Sequence, residues 1–238
     1  MRTLATLTMA FALVSAPAFA SFMPTQLIPP TTVTEPWTHM GGYDEANLFE
    51  IYNALYGTSY TSNTQLEPLQ MTPDDLFALD PGDKAGPFQA RARYAGYVQN
   101  FGWYYNTPGG PVLTPLISNV NVSGMLPNLP QFTAPAFVPT GPFGFYDTAN
   151  GKTWFSESSL NPNKEDHVVM YKTPIPYTYL LAWEDKPFPP NGSADRDYQD
   201  LLVEIYLGPG TIVPEPASML LLGLGIAGVM ARRFRRAA

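Results

Sequence analysis

Twenty-six prolines and 19 glycines interrupt this chain of 238 residues, and no other feature constrains its fold as much. A proline inside a helix removes a backbone donor and clashes with the carbonyl four residues earlier. A helical bundle is therefore disfavoured, and a turn-rich, exported protein is expected, the more so because charged residues make up only 14% of the chain. The absence of cysteine excludes disulfides, thiolate zinc sites and cysteine nucleophiles. Two histidines, His39 and His167, are too few for a multi-histidine metal centre. The formal charge of -7 disfavours binding to nucleic acid or to an anionic membrane.

Both ends read as addresses. Residues 1–20 have the form of a secretory signal: Arg2, an apolar stretch over residues 4–14, and Ala18 and Ala20 flanking Phe19 as a small-x-small cleavage pattern. The mature chain is expected to begin at Ser21. At the other end, a linker over residues 209–216 carries Pro214-Glu215-Pro216, and an uncharged apolar run follows over 217–231. The basic tail, residues 232–238, holds Arg232, Arg233, Arg235 and Arg236. A fifteen-residue helix spans roughly 22 Å against a hydrocarbon core of roughly 30 Å, a deficit that arginine snorkelling and local thinning make up. The arginines predict a cytoplasmic C-terminus, with the body outside the inner membrane.

This terminal order of Pro-Glu-Pro, short apolar helix and arginine cluster resembles the PEP-CTERM sorting signal of Gram-negative bacteria that make extracellular polysaccharide. The resemblance implies recognition by an exosortase, a membrane-embedded transpeptidase-like enzyme, with Pro214, Glu215 and Pro216 as the recognition element. It also implies export by the secretion machinery and transient anchoring in the inner membrane. The final location would be the cell surface or extracellular matrix.

Between the addresses, residues 21–213 hold 8 basic and 19 acidic residues, a formal charge of -11, in one domain's worth of chain. Residues 21–36 are rich in proline and threonine and read as extended, either a linker or an edge strand. Residues 37–87 read as a short-helix region. A helix over 44–57 is expected from Leu48, Ile51, Tyr52 and Leu55, with Asp44 as cap and Gly57 as stop. A second is expected from Thr72 and Pro73 to Pro81, with Asp74 and Asp75 at its positive end. From residue 88 the period becomes two. Phe88, Ala90, Ala92 and Tyr94 fall on one face, with Arg91 and Arg93 on the other. Further strands are expected at 111–122 (interrupted by Pro115), 143–146, 152–155, 167–172, 177–183 and 201–207, with Asn150-Gly151 as a hairpin turn. The fold class is mainly β: a single antiparallel β-sandwich or jelly roll over 88–208 with short N-terminal helices, a signal helix and a C-terminal membrane helix.

The acids are concentrated late. None lies between Asp83 and Asp147, and eight fall from Glu165 to Glu204. Glu184 and Asp185 end one predicted strand, Asp200 precedes the next, and Asp195 and Asp197 share a side in extended chain. Carboxylates gathered at loop ends repel unless something positive sits among them. Calcium suits them, since it takes six to eight oxygens in flexible geometry, although the spacing is not that of an EF-hand. The competing reading is that the aspartates form turns and that Arg196 and Lys186 neutralise them.

Trp183-Glu184-Asp185, a loop, and then Asp195-Arg196-Asp197-Tyr198-Gln199-Asp200 are similar to the C-terminal part of a β-rich domain found in exported proteins with such sorting signals. That resemblance implies no activity. Gly-x-Ser-x-Gly, Walker, His-Glu-x-x-His and Rossmann patterns are absent. The remaining catalytic possibilities are His167 beside Asp166 as a base with Ser156, Ser158 or Ser159 as nucleophile, and Glu184 with Asp185 as paired carboxylates, although neighbours on a strand point to opposite faces; a non-enzyme is expected. The function read from the sequence is a structural role at the surface or in the matrix, associated with exopolysaccharide. The alternative is a calcium-assisted glycan-binding module using Trp103-Tyr104-Tyr105 and Trp183 to stack on sugars.

Overall fold

In the computed structural model, which describes residues 24–35, 45–72, 76–126, 130–190 and 192–208, twelve strands form two antiparallel sheets. In chain order they are β1 (Thr25–Gln26), β2 (Gln70–Thr72), β3 (Lys84–Arg93), β4 (Gln99–Thr107), β5 (Gly110–Val120) and β6 (Gly124–Met125). There follow β7 (Thr133–Ala134), β8 (Gly144–Ala149), β9 (Lys152–Phe155), β10 (Val168–Lys172), β11 (Thr178–Trp183) and β12 (Leu201–Gly208). The larger sheet runs β1-β2-β10-β11-β12-β3-β6, with β7 also on β3, and the smaller runs β5-β4-β8-β9. The chain is thus mainly β and antiparallel, as its composition implies. The expected signal peptide, Asp44, the linker, the sorting helix and the basic tail lie outside the described residues. Among the described residues, no helix is long and apolar enough to cross a membrane.

The centre of the larger sheet is apolar on both faces apart from Glu204, which accepts the Tyr56 hydroxyl at 2.8 Å, so its strands appear as nearly continuous apolar runs. On one face Val168, Met170, Leu181, Trp183, Val203 and Ile205 meet Phe101, Phe145 and Trp154 from the smaller sheet. On the other, Val169, Tyr171, Leu180, Ala182 and Leu202 pack beneath the helix α1 (Leu48–Tyr56) and the 3₁₀ segment Asn63–Leu69. The sequence reading extends α1 too far upstream. The helix begins after Asn47, whose N–H donates to Glu50 Oε2 at 2.8 Å, and it ends at Gly57 with φ +67°.

The second predicted helix is absent from the described part of its span. Thr72 closes β2, and beyond residues 73–75 the chain is extended. Phe77 exchanges two backbone hydrogen bonds with Phe143, at 2.7 and 2.9 Å. Burial of Phe77, Ala78 and Leu79 in the core overrides the local helix-start signals.

The face assignment along β3 also changes. Leu202 pairs with Ala92 but Val203 pairs with Ala90, so a bulge at Arg91 breaks the alternation. Phe88 and Ala90 face the smaller sheet, whereas Ala92 joins the opposite face and Tyr94 packs against that same cluster. The hairpin at Asn150-Gly151 forms as read, with φ +49° and +72°. Strand β4, not foreseen, pairs with both β5 and β8. Strand β5 continues through Pro115 with a register shift, which an edge strand tolerates. The segment over 21–36 supplies the short edge strand β1.

Candidate functional site

Strand β11 ends opposite the start of β12, with Trp183 in register with Leu201, so Glu184 and Asp185 leave the sheet beside Asp200. The Asp200 N–H donates to the Trp183 carbonyl at 3.1 Å, and the Glu184 N–H donates to His167 at 3.0 Å. Alternation continues past the strand end. Asp185 takes the side of the smaller sheet, where Gln99 Nε2 donates to its Oδ2 at 2.6 Å. Glu184 takes the opposite side, where Oε2 accepts the Arg196 N–H at 3.1 Å.

The loop before β12 is not extended as its spacing suggests. Arg196 and Tyr198 adopt φ of +64° and +53°, which curls the chain and turns the Asp197 side chain inward. Asp195 remains exposed. The N-terminal strap holds this curl. The Thr34 N–H donates to the Arg196 carbonyl at 3.0 Å, and its hydroxyl donates to the Asp195 carbonyl. Gln199 braces Asp197 twice, through its N–H at 3.3 Å and its Nε2 at 2.9 Å, and the same Nε2 reaches Glu45 at 3.1 Å.

One carboxylate oxygen each from Glu184, Asp197 and Asp200 lies within 4.8 Å of the others, and all three residues are buried. Three of the five predicted ligands are thus brought together, while Asp185 lies on the other side of the strand with its carboxyl against Asp200, and Asp195 faces solvent. Burial, followed by the charge of Asp197, pushes the Glu184 carboxyl up to about 8. Burial, followed by the charge of Asp195, pushes Asp197 up to about 7. Burial and the charges of Asp185 and Glu184 raise Asp200 well above the ordinary carboxylate range. Although burial pulls Lys186 down, Asp200, Asp185 and Asp195 together raise it, so it stays a cation beside the cluster. Such a set is stable only with protons on it or with a cation in it. Its donors are hard oxygens, which fit calcium rather than zinc or copper.

The catalytic candidates have structural partners. His167 is sandwiched between the rings of Trp154 and Phe188, with centroids at 3.9 and 4.8 Å, and its Nδ1 lies 2.9 Å from the Glu184 carbonyl. Burial lowers its affinity for a proton. Ser156 is buried and accepts the Phe145 N–H at 3.0 Å. Ser159 donates to Glu157. Two of the proposed sugar-stacking residues, Trp183 and Tyr104, are wholly buried and unavailable for that role.

Residues that sequence reasoning did not select complete the surroundings: Glu45, Arg93, Gln99 and Asp147. Asp147 lies in the DTANG stretch, where the Asn-Gly turn accounts for the local pattern, and nothing local signals that its side chain is wholly enclosed.

Residues 213–236 match the PEP-CTERM protein-sorting motif. The match contains Pro214, Glu215, Pro216 and all four tail arginines. This motif implies export, C-terminal membrane anchoring and processing by an exosortase in a Gram-negative bacterium. No curated protein and no solved structure matches the chain.

Proposed function

We propose that this is a non-catalytic structural protein of the cell surface or extracellular matrix, delivered by exosortase and associated with exopolysaccharide. The observation that carries the reading is the sorting motif at residues 213–236, following a well-packed β body. We read its two facing sheets as a sandwich, because their side chains interdigitate in one cluster. The partners of His167 and Ser156 support a structural rather than a catalytic role for both. Replacing Pro214-Glu215-Pro216 with alanines is expected to leave the protein in the inner membrane with its tail attached. Unchanged release and unchanged mass would refute exosortase handling.

Calcium held by Glu184, Asp197 and Asp200 is the second part of the proposal. Its support is the 4.8 Å convergence of buried oxygens, together with the buried Gln199 Oε1, which has no hydrogen-bond partner beside Asp197. An ion there fixes the loop between β11 and β12 once the protein is outside the cell. Thermal melts in EDTA and in millimolar calcium test it, and identical melting temperatures would refute it.

A glycan-binding reading also has a specific observation behind it. Trp103 and Tyr105, with ring centroids 5.8 Å apart, line a groove of 420 Å³ with Asn106, Thr140, Gly141 and Pro142. Aromatic faces beside an amide and a hydroxyl suit a sugar ring.

A further inference from the structure

Asp147 on β8 is wholly enclosed, and neither carboxylate oxygen has a hydrogen-bond partner. Two other buried acceptors share this condition: Asp185 Oδ1 and Gln99 Oε1. The three residues belong to one interior corner. Gln99 pairs with Ala149 across β4 and β8, so Asp147, two residues away, projects from the same face of the smaller sheet. Asp185 enters from the larger sheet and is bound to Gln99 at 2.6 Å. Trp154, the direct partner of Asp147 on β9, donates Nε1 to the Asp185 carbonyl at 2.8 Å. Four acceptor oxygens from two sheets are left unpaired in this corner.

The available donors do not satisfy them. Arg93 is the neighbouring cation, but its Nε and Nη2 donate to the Tyr97 carbonyl. Among the described residues no ion pair links Arg93 to Asp147 or Asp185. A proton on Asp147 would supply one donor for four acceptors. A water would supply two and would add no positive charge to that of Arg93 and Lys186. A hard cation satisfies all four at once.

We propose that Asp147, Asp185 and Gln99 hold a second calcium ion between the two sheets, with no side chain in common with Glu184, Asp197 and Asp200. The two positions meet at the Glu184-Asp185 peptide and at Asp200, whose Oδ2 accepts the Asp185 N–H at 2.8 Å and whose carboxyl also lies against that of Asp185. The inner ion joins the smaller sheet to the larger, whereas the outer one orders a loop.

The test is calcium stoichiometry on the full chain purified in detergent, stripped with chelator and reloaded. The wild type binds two ions, Asp147→Asn binds one and Asp197→Asn binds one. A wild type with a single ion, lost in Asp197→Asn and kept in Asp147→Asn, overturns the inner site and leaves the outer one standing. A wild type with no ion overturns both. If Asp147→Asn fails to fold, Gln99→Met decides: the inner step of the titration weakens by at least about tenfold, as for loss of one coordinating group. Two unaltered steps in Gln99→Met overturn the inner site.

Discussion

Asp197→Asn has opposite consequences with and without calcium. In the metal-free protein the wild-type carboxylate stands buried beside Glu184 and Asp200, and its affinity for a proton is raised from an ordinary 3.8 to about 7. That rise corresponds to a cost of about 4 kcal/mol for holding the ionised form at pH 8. Asparagine removes that charge. It keeps an oxygen for the Gln199 N–H but turns an amide toward Gln199 Nε2, where the aspartate accepts at 2.9 Å. Losing that charge-assisted bond returns about 2 kcal/mol, so the variant is expected to be more stable than wild type by about 1–2 kcal/mol in EDTA. Calcium at a hundredfold excess over its dissociation constant stabilises the wild type by about 2.7 kcal/mol. The variant, lacking one ligand, gains little, and the order of stability reverses. Urea unfolding at pH 8 in EDTA and in calcium measures both differences. A variant destabilised equally in the two media would refute the reasoning, because Asp197 would then act as a turn-former alone.

Further outcomes follow from the same geometry. In EDTA, Glu184 (about 8) and Asp197 (about 7) keep protons that the unfolded chain releases near pH 4, so stability falls as pH rises from 5 to 7. Two retained protons give a slope of about 3 kcal/mol per pH unit, which His167, buried neutral, partly opposes below 6.5; denaturant midpoints rising with pH would contradict this. Phe145→Ala, which empties a position touching Phe77, Phe88, Phe101 and Phe143, is expected to cost about 3–5 kcal/mol, read from the denaturant midpoint. Tyr105→Ala, which removes the exposed ring of the groove, is expected to abolish retention on the producing strain's polysaccharide without shifting the melting temperature by more than about 2 °C; unchanged retention would remove the glycan reading.

Strands β10, β11 and β12 were legible in the sequence to within about a residue, because nearly continuous apolar runs bounded by turns have few other solutions in a β chain. The neighbourhood of Glu184 and Asp200 was legible for the same reason: adjacent strands place their ends together. What escaped depends on partners distant in the chain. The bulge at Arg91 is a mismatch between β3 and β12, so no count along β3 alone shows that Ala92 changes face. The residues after 75 carry a local helix signal that loses to the pairing of Phe77 with Phe143. Asp147 gains its meaning only when Asp185 arrives from another sheet, 38 positions later in the chain.

The borders of the two sheets bear on how such a protein behaves when crowded outside a cell. The larger sheet ends in two-residue strands, β1 at one border and β6 and β7 at the other. The smaller ends in the four-residue β9 and in β5, where Pro111 and Pro115 offer no backbone donor. Short length at β1, β6, β7 and β9, and the two prolines of β5, make these borders poor templates for a second chain. Among the described residues, short strands and prolines thus discourage amyloid-like growth by strand addition, which favours a network built through side chains on the faces of the sheets.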